Sequence, residues 1–137
     1  MAAMSVVGVA VSVYLTVVHY SGAALVCTQG GLIDCEAVTT SSYSVVPGTL
    51  VPISLAGLLW FVVSGSLAVV GTRSDATWPR AAHLAWTAAG VAVVLYLVNA
   101  ELAVIGRICE WCTVLHVLIV ATFFVALARF RDAVPEG

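Results

Sequence analysis

Hydrophobic and polar positions divide this chain of 137 residues into long apolar stretches separated by shorter polar ones. A helix needs roughly 20 mostly apolar residues to cross a hydrocarbon core about 30 Å thick. Four stretches meet this requirement, at residues 4–20, 51–70, 81–103 and 109–128. The pattern therefore predicts four transmembrane helices, with a long loop at residues 21–50 and short loops between the other helices.

Composition agrees with a protein that resides in the lipid bilayer. Hydrophobic residues make up 62% of the chain and charged residues 9%, which is too little polar surface for a small soluble domain. The first stretch has no basic residues ahead of it, unlike a cleavable signal peptide. No internal repeat is visible, and no basic patch is available for nucleic acid. We predict an all-α integral membrane protein, in which residues 1–137 form a single four-helix bundle domain.

The arginines indicate how the bundle is oriented. All five basic residues are arginines: Arg73, Arg80, Arg129 and Arg131 fall in the loop after the second span or at the C-terminus, and Arg107 lies on the other side. Because cytoplasmic loops are enriched in basic residues, both termini and the 71–80 loop are predicted to be cytoplasmic. The chain is then a multi-pass protein of the bacterial inner membrane, with its long loop on the outer face.

The four cysteines all fall on that outer face. Cys27 and Cys35 lie in the long loop, and Cys109 and Cys112 form a C-x-x-C where the last span begins. In a bacterium this compartment allows disulfides to form and persist. Four cysteines allow three pairings, and the sequence alone does not choose among them. Thiols at a helix N-terminus lie near the positive end of the helix dipole, which favours the reactive thiolate.

Three interpretations of the cysteines compete. A structural zinc site needs four converging ligands and usually two tight pairs, whereas only one pair here is tight. Two inert disulfides would make the chain a non-catalytic membrane scaffold with stapled outer loops. Redox exchange between the two pairs is the third interpretation, and we favour it because the C-x-x-C lies where lipid-soluble molecules can reach it. The scaffold remains the alternative.

Several features together resemble the vitamin K epoxide reductase family. They are the C-x7-C pair of Cys27 and Cys35, Ser41 six residues beyond it, the segment VPGTLVPISLAG, and the C-x-x-C of Cys109 and Cys112 at the start of the last helix. The similarity extends over almost the whole chain. The DsbB family, which has a similar function, has the reverse order, with its C-x-x-C in the first outer loop.

The resemblance implies a quinone-dependent thiol-disulfide oxidoreductase that supports disulfide bond formation. A thioredoxin-fold, DsbA-like protein of the envelope would give electrons to Cys27 and Cys35, and Cys35 would pass them to Cys109. Cys112 would then reduce a membrane quinone, which is menaquinone, ubiquinone or a vitamin K-like compound. Many bacterial members carry a fused thioredoxin-like domain; here we expect the partner to be a separate protein or a domain outside this chain. No metal is expected.

Two further residues are predicted to support the site. By its family position, Ser41 is implied to stabilise the loop against the C-x-x-C. His116 shares a helical face with Cys109 and Cys112, where it can donate a hydrogen bond to a quinone oxygen or assist its protonation. The alternative for His116 is a histidine whose hydrogen bonds are satisfied inside the bundle.

Polar and aromatic residues near the outer end of the bundle carry further expectations. Asn99 lies within the third span, where a polar group is expected to face the bundle and either tie helices together or contact the quinone. Glu101 is expected to reach water or Arg107. Trp111, between the two cysteines of the C-x-x-C, is expected to be an interfacial anchor.

Overall fold

The computed structural model describes residues 1–28, 30–74 and 76–133. Residues 29, 75 and 134–137 of the predicted domain lie outside the described part. The structure contains long helices and two short ones, which in chain order are α1 (Ala2–Ser21), α2 (Cys35–Thr39), a 3-10 helix (Ser42–Ser44), α3 (Ile53–Arg73), α4 (Trp78–Asn99), a π-helical segment (Ala100–Ile105) that continues α4, and α5 (Glu110–Arg131).

Four helices are long and apolar enough to cross a membrane: α1, α3, α5, and α4 together with its π-helical extension over Trp78–Ile105. Among the described residues no β-strand is formed, and extended segments meet only in isolated bridges. The prediction of an all-α integral membrane protein with four transmembrane helices is confirmed. The chain is a multi-pass membrane protein.

The four long helices pack as a ring, in which α1 contacts α3, α3 contacts α4, α4 contacts α5, and α5 contacts α1. Neighbours in this ring are antiparallel. Thr16 near the end of α1 donates a 2.9 Å hydrogen bond to Ser54 at the start of α3. At the opposite end of the bundle, Arg129 of α5 donates to the sulfur of Met1 over 3.0 Å.

Small residues bring the helices close together, as expected where helices associate in lipid through packing. Gly8 of α1 lies directly against the ring of Phe61 in α3. A Cβ atom added at Gly90 of α4 would lie 2.6 Å from Nε1 of Trp60 in α3, so only glycine allows this approach. The indole of Trp60 therefore packs directly against α4 at Gly90.

The long loop folds back over the end of the bundle at which the four cysteines lie, which we call the cysteine end. Gly22 ends α1 in the left-handed conformation, with a φ of 64°. The side chain of Asp34 caps α2 by accepting a 3.0 Å hydrogen bond from the backbone N–H of Ala37. A tight turn, closed by a 2.8 Å hydrogen bond from Val46 N–H to the Val51 carbonyl, leads into α3.

Candidate functional site

The four cysteines form one cluster. Cys35 and Cys109 are 1% and 0% exposed and pack together with Val38, and Cys27 and Cys112 pack against them. Cys27 and Cys35 form a disulfide, with their Cα atoms 6.3 Å apart, whereas Cys109 and Cys112 are free thiols. The fold thus places one oxidised pair directly against one reduced pair.

Five hydrogen bonds join the loop segment 26–34 to residues 107–111, and we call this set the loop clamp. They run from Trp111 Nε1 to the Val26 carbonyl (2.7 Å), from Thr28 N–H to Glu110 Oε2 (3.1 Å), from Arg107 Nη1 to the Gly31 carbonyl (2.8 Å), from Ile108 N–H to the Leu32 carbonyl (2.9 Å), and from Asp34 N–H to the Ile108 carbonyl (3.1 Å). This register places Cys35 beside Cys109.

Trp111 is central to the loop clamp. Its ring packs at a tilt on Tyr14 of α1, with centroids 5.2 Å apart. The hydroxyl of Tyr14 accepts a 3.2 Å hydrogen bond from the backbone N–H of Val26, whose carbonyl receives the indole N–H of Trp111. The position of Trp111 in the sequence predicts only an interfacial anchor and carries no signal of its contact with the cysteine loop.

Cys109 is the residue that caps the N-terminus of α5. Its sulfur accepts a 3.3 Å hydrogen bond from the backbone N–H of Cys112. A hydrogen bond from the Cys112 side chain lowers the pKa of the Cys109 thiol, outweighing burial and the charge of Glu101, which act in the opposite direction. Because the thiolate is the exchanging species, this site favours the reactive form of Cys109.

A cavity of about 650 Å³ lies between the four long helices and extends to the cysteine end. Most of its wall is apolar, with Trp60, Phe61 and Trp86 providing aromatic surface. Cys112 and His116 lie on its wall, one helical turn apart on α5. Loop residues that include Leu25 and Thr39 border it at the cysteine end, so the cavity connects the interior of the bundle with the reduced cysteine pair.

Two side chains with ring nitrogens lie beside the cavity in this region. His116 is buried and lies on the cavity wall. Nε1 of Trp60 is buried without a hydrogen-bond partner among the described residues. The Trp60 and Gly90 pair has no simple sequence signature, because it depends on which helices become neighbours.

The hydroxyl of Ser41 bonds to the backbone on either side of it. Its hydroxyl donates a 2.7 Å hydrogen bond to the carbonyl of Val38 and accepts a 3.3 Å bond from the backbone N–H of Tyr43. These bonds fix the end of α2, and Val38 packs against Cys109.

Asn99 and Glu101 differ from the sequence-based expectation in their burial, because Asn99 is exposed and Glu101 is buried. Asn99 is exposed and does not line the cavity, so the prediction that it faces the bundle is wrong. The buried face of α4 runs through Gly90 and Val94 and continues to Glu101, which places Asn99 on the other side. Glu101 is only 6% exposed, and it does not pair with Arg107, whose guanidinium binds the Gly31 carbonyl.

No group of three or more histidine, cysteine, aspartate or glutamate side chains could hold a metal ion in the described part of the chain.

No curated protein matches the sequence. The model of the Vitamin K epoxide reductase family matches residues 1–127 of the 137. Four membrane-spanning helices and a disulfide beside two free thiols agree with that match. The chain therefore belongs to the vitamin K epoxide reductase family, and this membership indicates an oxidoreductase.

Proposed function

We propose that this protein is a quinone-dependent thiol-disulfide oxidoreductase. It reoxidises a thioredoxin-fold, DsbA-like partner in the bacterial envelope and passes the electrons to a membrane quinone, which supports disulfide bond formation. The observation that carries the proposal is the cluster of all four cysteines, one of which, Cys112, lies on the wall of an apolar cavity. Thiol exchange requires such contact, because it proceeds by thiolate attack through a mixed disulfide.

Electrons enter through the loop pair. Cys27 is the more exposed of the two, so a partner thiolate attacks its sulfur, and Cys35 is released to face Cys109. The second thiol of the partner then attacks the mixed disulfide, so the partner leaves oxidised and Cys27 is released as a thiol. Attack by Cys35 on the Cys109 sulfur of an oxidised inner pair frees Cys112. Cys27 then attacks Cys35, which regenerates the loop disulfide and leaves both inner thiols reduced. The oxidation states found here, with Cys27 joined to Cys35 and the inner pair free, correspond to this stage.

The cavity fits a quinone ring. Its volume of about 650 Å³ is in the usual range of small-molecule sites, and its wall is mainly apolar and aromatic. A bound quinone supplies an acceptor for two electrons and two protons. His116 lies on the cavity wall, where its ring can donate a hydrogen bond to a carbonyl oxygen, and Trp60 has an unpaired N–H next to the cavity. Cys112 presents its thiol to the same space.

The supporting residues are assigned from their contacts. Ser41 holds the end of α2 against Cys109 through its bonds to Val38 and Tyr43. We do not retain Asn99 as a quinone contact, because its side chain is exposed outside the cavity. The cysteine end is assigned to the outer face, since four of the five arginines lie in the loop and terminus at the other end.

Cysteine variants test the proposal. With a soluble quinone and a small dithiol, Cys112→Ala is expected to abolish quinone reduction, whereas Cys27→Ala retains it. With a reduced thioredoxin-fold protein as donor, Cys27→Ala also loses activity, because electron entry from a protein requires the loop pair. Full turnover by Cys112→Ala would refute the proposal. A stapled scaffold predicts no quinone reduction by the unmodified protein.

A further inference from the structure

Glu101 is a buried carboxylate that the relay described above does not use. It lies on the π-helical segment that continues α4, and only 6% of its surface is exposed. The segment that carries it packs on the cysteine cluster through Ile105, and the Glu101 carbonyl accepts a 3.0 Å hydrogen bond from the backbone N–H of Arg107, two residues before Cys109. The Glu101 charge acts on the Cys109 thiol. π-Helical turns occur frequently at functional sites, and this one places a buried acid at the cysteine end, on a segment that packs against the cysteine cluster.

No cation compensates this carboxylate among the described residues. The nearest arginine in sequence, Arg107, donates its backbone N–H to the Glu101 carbonyl but turns its guanidinium to Gly31. The neighbouring cysteine cluster contributes the Cys109 and Cys112 thiols and the Cys27–Cys35 disulfide, none of which is a cation. Burying a carboxylate without a cation disfavours the folded state, and groups of this kind are found mostly at functional sites.

We propose that Glu101 is the proton acceptor for Cys109 when the C-x-x-C is oxidised. This inference rests on the proposed function and names the group that receives a proton in its last step. Closing the Cys109–Cys112 disulfide breaks two S–H bonds and forms one S–S bond. Both electrons pass to the quinone. Glu101 takes the proton of Cys109, and the two protons of the quinol come from Cys112 and from water.

The proton on Glu101 is returned in the next cycle. When the loop pair reduces the inner disulfide, Cys109 leaves the mixed disulfide as a thiolate, and Glu101 protonates it. Of the two protons given up by the loop thiols, one is taken up by Cys112 and the other is released to water. Glu101 is then protonated in the oxidised state of the inner pair and ionised in the reduced state.

The test uses the purified full chain, which is reduced and then mixed anaerobically with a soluble quinone at several pH values. Rapid alkylation of the remaining thiols measures the rate at which the Cys109–Cys112 disulfide closes. At neutral pH, Glu101→Gln is expected to close the disulfide on the order of 100-fold more slowly, as is typical for loss of a general base. Its rate should rise with pH as solvent base replaces the carboxylate, and Glu101→Asp should recover part of the loss. Asp132→Asn, at the opposite end of the bundle, serves as the matched control.

A purely electrostatic role for Glu101 predicts the opposite sign. Removing its negative charge lowers the pKa of the Cys109 thiol, so Glu101→Gln would then close the disulfide faster. An equal or faster rate in Glu101→Gln would overturn the proposal while leaving the relay intact. Failure of the unmodified protein to close the disulfide with quinone would instead refute the relay, and the inference with it.

A measurement on the unmodified protein covers the case in which Glu101→Gln does not fold. Infrared difference spectra between the reduced and quinone-oxidised states should show the carbonyl stretch of a newly protonated carboxyl group. Labelling glutamate with carbon-13 should shift that band, which distinguishes it from aspartate. Absence of a protonated glutamate in the oxidised state would contradict the proposal.

Discussion

Ile33 and Ile108 form a parallel β-bridge, which sets the loop disulfide against the C-x-x-C. Cys35 follows Ile33 by two residues and Cys109 directly follows Ile108, so both are carried into the same buried cluster. The backbone hydrogen bonds on either side of Ile108 are 2.9 and 3.1 Å long. The register between these two segments therefore determines which sulfur atoms can meet.

Replacing Trp111 by phenylalanine should loosen the loop clamp. The substitution keeps the aromatic ring that packs on Tyr14 but removes the N–H donor to the Val26 carbonyl. A net hydrogen bond is worth about 0.5–1.5 kcal/mol, so transfer from the reduced loop pair to an oxidised inner pair should slow by about 2- to 10-fold. Quenched alkylation measures this rate. Trp78→Phe, on an exposed residue at the start of α4, is the control, and equal rates for Trp111→Phe and wild type would show that the clamp does not guide transfer.

The charge state of Cys109 should depend on the hydrogen bond from Cys112. That bond favours the thiolate and lowers the pKa of Cys109, so the thiolate persists to lower pH than for an ordinary cysteine. Cys112→Ala removes the donor and should move thiolate formation to higher pH. Cys112→Ser retains a hydroxyl donor and should keep the pKa of Cys109 below that in Cys112→Ala.

Ultraviolet absorbance of the thiolate as a function of pH measures this difference. Cys109 is the single remaining free cysteine in both variants, because Cys27 and Cys35 are joined in a disulfide. Identical titration curves for the alanine and serine variants would show that the hydrogen bond does not set the pKa of Cys109.

His116 should contribute to quinone binding through a hydrogen bond. His116→Leu removes the donor from the cavity wall, and the KM for a soluble quinone should rise by about 2- to 10-fold, as expected for one hydrogen bond. His116→Gln retains an N–H donor and should stay closer to wild type. A leucine variant with unchanged kinetics would place His116 outside the quinone site.

Replacing Gly90 by alanine, which adds only a methyl group, should reduce both the stability of the protein and its binding of quinone. A Cβ atom there would lie 2.6 Å from Nε1 of Trp60, so Gly90→Ala must push the indole away from α4 and into the cavity. Overpacking of this kind typically costs about 1–3 kcal/mol. We expect weaker quinone binding and a lower thermal unfolding temperature.

Gly71→Ala is the matched control for Gly90→Ala. Its added Cβ would meet only Arg80 Cγ at 3.5 Å, an ordinary contact far from the cysteine end. If both alanine variants behave alike, the close approach of Trp60 to α4 is not what shapes the cavity.

Much of the fold follows from the chain pattern, because each membrane crossing must be long, apolar and helical. The four spans, and Cys109 at the start of the last one, could be recognised from local sequence. Glu101 could also have been found by extending the buried face of α4 through Gly90 and Val94 by further helical turns. The same periodicity excludes Asn99 from the buried face, although a polar side chain within a span is expected to face the bundle.

The loop clamp could not be predicted in the same way. It joins residues about 80 positions apart, mostly through backbone groups, which carry no sequence pattern. Arg107 illustrates the difficulty: its proximity to Glu101 in sequence suggested an ion pair, but the folded loop offers the Gly31 carbonyl instead. The contact between Gly90 and Trp60 likewise depends on how α3 and α4 pack.

Thiol mapping of the fully reduced protein, exposed anaerobically to a soluble quinone and then alkylated, addresses the proposed relay without any variant. The relay predicts that quinone alone restores a disulfide between Cys109 and Cys112, which then passes to Cys27 and Cys35. Mass spectrometry of fragments collected over time would show the two disulfides in that order. Four thiols that remain reduced in the presence of quinone would contradict the relay.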